Sequence, residues 1–199
     1  MKVLVACEFS GTVRDAFRSR GHDAWSCDLL DSNSEYHIQR DVSLVLSDGW
    51  DLMVGHPPCT YLAVSGARWF KDRKQEQEEA LAFVKALLEA PIEKIAIENP
   101  VSIISSKIRL PDQIIQPYQF GEDASKKTCL WLKNLPKLVP TEYVEPKIIN
   151  GKKIWANQTP SGQNKLGPSI DRWKLRSKTY QGIAEAMASQ WGNLNTNDC

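Results

Sequence analysis

The feature that most constrains this chain is a repeated alternation. Short, largely apolar runs of five to eight residues are each followed by a turn and then by a helical pattern or a polar connection. "KVLVA" (2–6), "DAWSCDLL" (23–30), "YHIQRDV" (36–42), "WDLMVG" (50–55) and "KIAIENP" (94–100) read as successive strands. The stretch "SGTVRDAFRSRGH" (10–22) puts Val13 and Phe17 on one helical face, with Gly21 as its stop. "RKQEQEEALAFVKALLEA" (73–90) carries Leu81, Val84, Leu87 and Leu88 as an apolar stripe and ends at Pro91. Strands this apolar, without clean alternation, are buried on both faces, which is the habit of parallel sheets covered by helices. The expectation is an α/β fold with a mostly parallel central sheet and helices on both faces.

Beyond residue 110 the pattern loosens. "QIIQPYQFG" (113–121) and "KTCLWLK" (127–133) predict two later strands. Asn150-Gly151 inside "KIINGKKIW" (147–155) predicts a hairpin. "SKTYQGIAEAMASQWG" (177–192) predicts a last helix, with Ile183, Met187 and Trp191 at helical spacing, and "NLNTNDC" (193–199) a frayed end. At 199 residues the chain reads as one domain, 1–199, with 134–176 as a basic hairpin segment and 177–192 as a helix returning to the sheet.

In an open parallel sheet, ligands bind beyond the carboxyl ends of the strands. Strand 1 delivers Glu8, Phe9, Ser10 and Gly11 there, strand 2 Asp28, strand 3 Asp41, strand 4 His56-Pro57-Pro58-Cys59 and strand 5 Glu98. A carboxylate after the second strand suits the ribose hydroxyls of an adenosine-bearing ligand, the role expected of Asp28. Ser10 serves equally as an N-cap of the first helix, and Asp41 as either an adenine contact or a turn cap. Two prolines before Cys59 stiffen the loop that aims the thiol. A thiolate with a depressed pKa and a carboxyl group with a raised one suit attack on an electron-poor ring. Cys59 is then the nucleophile and Glu98 the proton donor to a ring nitrogen. His56 either helps to make the thiolate or shapes the loop.

The five cysteines (Cys7, Cys27, Cys59, Cys129, Cys199) are odd in number and contain no CxxC pair, so neither a zinc site nor a disulfide framework is expected, and a reducing cytoplasm is the expected compartment. No apolar run approaches a membrane span. The formal charge is only +1, but residues 145–178 hold Lys147, Lys152, Lys153, Lys165, Arg172, Lys174, Arg176 and Lys178 against Glu145 and Asp171. That segment is either a polyanion-binding face or a solvated loop.

"GHPPCT" (55–60) resembles the "GGPPCQ" loop of DNA cytosine-5 methyltransferases, and "IENP" (97–100) resembles their "ENV" motif at a similar distance downstream. "LVACEFSGTVRDAFRSRGH" is similar to their opening "DLFAGIGGFRLALEAAG", with Phe9 and Gly11 in register. "QFGEDASKKTCLWL" (119–132) is placed like "DYGVPQNRERVFIV", and "RSKTYQGIAEAMASQW" like the last motif, which closes over the cofactor. The likeness runs in order along most of the chain and is nearest to small phage-type members. It implies a Rossmann-like S-adenosylmethionine-dependent methyltransferase fold and methyl transfer to C5 of cytosine in DNA, double- or single-stranded, with the base flipped out of the stack.

The resemblance further implies a catalytic set of Cys59, Glu98, Pro58 and Lys127. It implies a cofactor pocket made by Glu8, Phe9, Ser10, Gly11, Thr12, Asp28, Leu29, Asp41, Val42, His56, Pro57, Ser177 and Thr179. DNA contacts fall to Lys152, Lys153, Arg172 and Arg176, with Trp155 either stacking at a flipped base or closing the hairpin core. No metal and no membrane partner are implied. The departures are Thr60 for Gln, Pro100 for Val, lysines for two arginines, a reduced glycine cluster, and only about 40 residues where a recognition domain usually stands. A methyltransferase-like module without activity, an amino-methyltransferase and action on a free nucleotide are the alternatives.

Overall fold

The computed structural model describes residues 1–194. Seven strands form the central sheet: β1 (Lys2–Ala6), β2 (Asp23–Asp28), β3 (His37–Gln39), β4 (Leu52–Gly55), β5 (Lys94–Pro100), β6 (Gln113–Ile115) and β7 (Thr128–Lys133). Their order is β3-β2-β1-β4-β5-β7-β6. The first five run parallel, and β7 runs antiparallel between β5 and β6. The strand order reverses at β1: β1 and β4 stay paired to their carboxyl ends, but the connections that leave them run to opposite faces of the sheet, and a crevice is expected between those connections.

Side-chain alternation divides the core into two layers. Val3, Val5, Leu52, Val54, Ala96 and Leu130 face one way and pack with Val13, Phe17, Ile183, Met187 and Trp191. These last belong to α1 (Thr12–Arg18) and α5 (Gln181–Trp191). Leu4, Met53, Ile95, Ile97 and Trp131 face the other way, against Val84 and Leu87 of α2 (Lys74–Leu88). The sheet is therefore covered on both faces, as its apolar strands required.

The chain departs from the sequence expectation at five places. β3 is three residues long, not seven, because it pairs only with β2 and ends before Asp41. A 3₁₀ segment, Val64–Asp72, precedes α2. A short helix α3 (Ile104–Lys107) follows β5. The last helix begins at Gln181, and residues 172–177 form a separate short helix, α4 (Arg172–Ser177), that the sequence pattern does not announce. The N-cap of α1 is Gly11, not Ser10: the free amide hydrogens of Val13 and Arg14 point at the carboxylate of Glu8, at 2.8 and 3.2 Å. Most of the expected frayed end, residues 195–199, lies outside the described residues.

Residues 147–154 form the expected hairpin, β8 (Lys147–Ile149) and β9 (Lys152–Ile154), turning through Asn150 and Gly151 at positive φ. It is tied to the main body by Trp155, whose ring stacks on Tyr118 with centroids 4.7 Å apart. Ala156 and Ser125 add backbone bonds to Asp123 and Asn157.

The start of α5 is held against the loop before β7 at very short range. A methyl group on Gly182 would collide with the carbonyl of Phe120, and the Gly182 amide donates to Glu122 at 3.1 Å. Gly182→Ala should destabilise the protein by about 1–3 kcal/mol, the usual range for overpacking, whereas Gln181→Ala, one residue earlier and exposed, should stay within about 0.5 kcal/mol. Urea unfolding of both variants checks this.

Candidate active site

The carboxyl ends of β4 and β5 define the centre of the crevice. Gly55 pairs with Ile97, so the next residues, His56 and Glu98, stand side by side on the face that carries α1 and α5. His56 Nδ1 lies 3.2 Å from Glu98 Oε2, and both side chains are largely buried. One residue further on, Asn99 donates its Nδ2 to the carbonyl of Pro57 at 2.8 Å. Cys59 then opens a tight turn, its carbonyl accepting from Leu62 and Ala63. Residues 62–64 are laced to 101–103 by Ile103 N to Leu62 O and Val64 N to Val101 O. The "PPC" loop is thus moored to the strand that carries "EN", and the prolines leave it few alternative shapes.

The electrostatics reverse both sequence expectations. Crowding by surrounding protein and the Glu98 carboxylate push the Cys59 thiol above its ordinary range; Lys126 and Arg176 pull it back only in part. It is not a depressed thiol. Burial acts to raise Glu98, but hydrogen bonds from His56 and Thr128 and the charges of Lys126 and His56 outweigh it, and its pKa is lowered. The proton therefore rests on sulfur and the carboxylate is free to accept, the opposite of a preprotonated acid.

Lys126 is the cation that Cys59 and Glu98 both sense, while the charge of Lys127 is felt at Cys129 on β7. The structure thus brings Lys126, not the expected Lys127, to the pair. Lys126 Nζ also donates to the carbonyl of Arg176 at 3.0 Å, fastening α4 to the site. A cleft of about 350 Å³ runs beside it, bounded by Lys126, Arg176, Lys178, Thr179, Asn157 and Tyr180 among others. Pro58 is exposed next to Cys59, and Pro57 is buried.

Around the end of β1, Glu8 is buried and its oxygens hold Val13, Arg14 and Ser10, so most of its bonding capacity serves α1. Ser10 and Thr12 hydroxyls meet at 3.2 Å. Gly11 has φ +74, and a side chain there would strike the buried guanidinium of Arg14. Phe9 lies under Trp173 of α4, ring centroids 6.2 Å apart, so α4 spans from the β1 loop to Lys126. Asp28 accepts from the Leu30 amide through Oδ1 alone, and the neighbouring Leu29 is 72% exposed. Asp41 caps a 3₁₀ turn by accepting from Ser43, a bond that lowers its pKa, and Val42 is buried in the core. Ser177 is exposed and donates to Lys174 within α4.

Among the basic residues, Lys152 and Lys153 are exposed on β9, Arg176 lines the cleft, and Arg172 is partly buried. Trp155 takes the packing alternative, on Tyr118. Sequence reasoning passed over Asn99 and Thr128 as site residues and, of Lys126 and Lys127 at the positions of the two arginines, favoured Lys127. The only local signals for them were the adjacency of Asn99 to Glu98 and the paired lysines themselves.

Among the described residues, no group of three or more His, Cys, Asp or Glu side chains is placed to hold a metal ion, and no helix is long and apolar enough to cross a membrane. Cys59 is the exposed thiol beside the intermediate Cys7 and the buried Cys27 and Cys129. At pH 7, iodoacetamide should therefore alkylate Cys59 ahead of these three, yet more slowly than free cysteine. Glu98→Gln should speed the reaction by removing the charge that disfavours thiolate. Peptide mapping by mass spectrometry gives the order and the rates.

No protein-family model matches the chain, and no curated protein matches it. Among solved structures it is similar to the Entamoeba histolytica methyltransferase EhMeth, at 14% identity and a TM-score of 0.51, over 72% of this chain and 57% of that one. It is also similar to a prophage-encoded Escherichia coli protein described as a DNA modification methyltransferase, at 16% identity and a TM-score of 0.48, over 73% of this chain and 52% of that one. The chain thus spans little more than half the length of either structure. At 14% identity the likeness to the Entamoeba structure is one of fold alone: a Rossmann-like α/β sheet, mostly parallel and covered by helices on both faces.

Proposed function

We propose that the protein transfers a methyl group from S-adenosylmethionine to C5 of cytosine in DNA, through a covalent bond between Cys59 and C6. The observation that carries this reading is the mooring of the Cys59 loop to the strand that carries Glu98, through the Asn99 bond to Pro57 at 2.8 Å and the His56–Glu98 contact at 3.2 Å, with Lys126 of the loop before β7 close enough for its charge to act on both groups. A cytosine ring resists substitution at C5 until a nucleophile adds at C6. Addition of the Cys59 sulfur forms the S–C6 bond and moves the C5–C6 π pair toward C5, with electron demand at N3. The thiol must lose a proton and N3 must gain one, so the step balances within the site. Glu98, ionised at the outset, accepts the proton and delivers it to N3. Lys126 offsets the negative charge that passes between them. C5 then takes the methyl group and S-adenosylhomocysteine is left; the C5 proton departs to solvent as the S–C6 bond breaks, and the N3 proton returns through Glu98 to the released sulfur.

The residues of the crevice fit the cofactor. Asp28 keeps one carboxylate oxygen uncommitted for ribose hydroxyls, and the exposed side chain of Leu29 offers an apolar face to a base. Phe9, Gly11 and Thr12 follow β1, the strand paired with β2, and Trp173 lies against Phe9. Bound there, S-adenosylmethionine supplies an electrophilic methyl group. Glu8 supports this wall through α1, its oxygens being engaged.

DNA meets the protein through Lys152, Lys153, Arg172 and Arg176, which carry phosphate contacts; these fix position and raise affinity without choosing sequence. With only a hairpin and α4 between β7 and α5, the target context is short.

Cys59→Ala should abolish formation of 5-methylcytosine while leaving the unfolding transition and S-adenosylmethionine affinity close to wild type. Liquid chromatography and mass spectrometry of nucleosides from DNA incubated with the protein and labelled cofactor provide the readout. Undiminished 5-methylcytosine from Cys59→Ala contradicts the covalent route, and N4-methylcytosine or N6-methyladenine from the wild-type protein contradicts the assignment of the acceptor atom.

A further inference from the structure

His56 is not a free imidazole beside the thiol. Its backbone amide is bonded to Ala6 of β1, and its ring lies against Glu98, with Nδ1 3.2 Å from Oε2 and side-chain exposures of 8% and 12%. A carboxylate only accepts, so Nδ1 carries the hydrogen of this bond. Nε2 is buried and has no partner among the described residues. A histidine buried for packing alone commonly satisfies both ring nitrogens; this one spends its single bond on the carboxylate. The other groups facing Glu98 are Thr128 at the start of β7, Lys126 in the loop before it, and the thiols of Cys59 and Cys129, both of which sense its charge. His56 reaches Glu98 from the β4 side, directly after the strand and with its amide held by Ala6, while Thr128 and Cys129 come from β7 on the other side of β5.

We infer that His56 is the positioning residue of Glu98: its imidazole fixes the carboxylate at the mouth of the crevice and holds it in the proton-accepting form that relays the Cys59 proton to the target base. The inference rests on the reading of Glu98 as the proton relay of the proposed reaction. It gives His56 a role apart from the cofactor pocket and apart from direct activation of the thiol.

The test compares the wild type with His56→Asn, whose amide can donate where Nδ1 does but cannot titrate, and His56→Leu, of similar bulk with no donor. In the ligand-free proteins, ¹³C NMR follows the side-chain carboxyl carbon of Glu98 against pH. Its midpoint should lie below the ordinary carboxylate range in the wild type, rise in His56→Leu and return toward wild type in His56→Asn. Single-turnover methyl transfer measured against pH should show a loss of roughly 10–100-fold in His56→Leu at pH 7, the range for partners that orient a functional ligand, with its acid limb moved to higher pH. His56→Asn should recover most of the rate. A Glu98 midpoint that stays put in His56→Leu overturns the inference. So does a rate loss uniform across pH that Asn does not restore. If His56→Leu fails to fold, His56→Asn decides: a Glu98 midpoint in the ordinary range there is equally contrary. If none of the proteins, wild type included, forms 5-methylcytosine while the midpoints move as expected, the proposed reaction has failed and the hold of His56 on Glu98 stands.

Discussion

Everything at the candidate site depends on one register: Gly55 of β4 opposite Ile97 of β5. From that pairing the chain has no freedom over what stands next. His56 must meet Glu98, and Pro57 must meet Asn99, whose amide takes the proline carbonyl at 2.8 Å. A slip of one residue would turn every side chain of β4 to the other face, sending Leu52 and Val54 out of the layer they share with α1 and α5. The hydrophobic core therefore sets the geometry of the chemistry. The same core that buries Leu52 and Ile97 completely places a thiol loop and a carboxylate side by side.

The second layer of the account is where protons rest. A thiol crowded by protein beside a carboxylate is pushed up, and the buried carboxylate would be too, were it not for three neighbours. His56, Thr128 and Lys126 come from the end of β4, the start of β7 and the loop before it, and together they tip Glu98 toward the ionised form. The arrangement separates the two groups into a proton donor and a proton acceptor before any ligand arrives. Lys126 does a second job by tying the carbonyl of Arg176, so that α4 is anchored at the site while Trp173 rests on Phe9. The segment that the sequence presents as a basic stretch thus becomes a strap across the crevice.

How much of this was legible in the sequence follows from what each feature depends on. The buried parallel strands declared themselves because they are apolar on both faces, and Asn150-Gly151 declared its hairpin because a turn with both φ values positive needs such residues. β3 was overestimated because an edge strand stops when its one partner does. α4 was missed because its apolar residues, Trp173 and Leu175, are half exposed and give no periodic signal over six residues. Capping of α1 by Glu8 was invisible because the acceptor lies before the helix and reaches over Gly11. The clustering of Cys59 and Glu98 at one edge could be read from strand ends alone. Their protonation could not, since it is decided by burial and by partners far apart in the chain: His56 well before Glu98, and Lys126 and Thr128 well after it.

The central claim is a covalent bond from Cys59 to C6 of cytosine. Incubation of the wild-type protein with S-adenosylmethionine and DNA carrying 5-fluorocytosine tests it most directly. Fluorine at C5 cannot leave as a proton does, so the S–C6 bond persists. The account predicts a denaturation-resistant protein–DNA adduct that depends on the cofactor, carries one methyl group, maps to Cys59 by mass spectrometry and is absent in Cys59→Ala. Methylation of ordinary cytosine DNA without any such adduct, or an adduct that survives in Cys59→Ala, would contradict it.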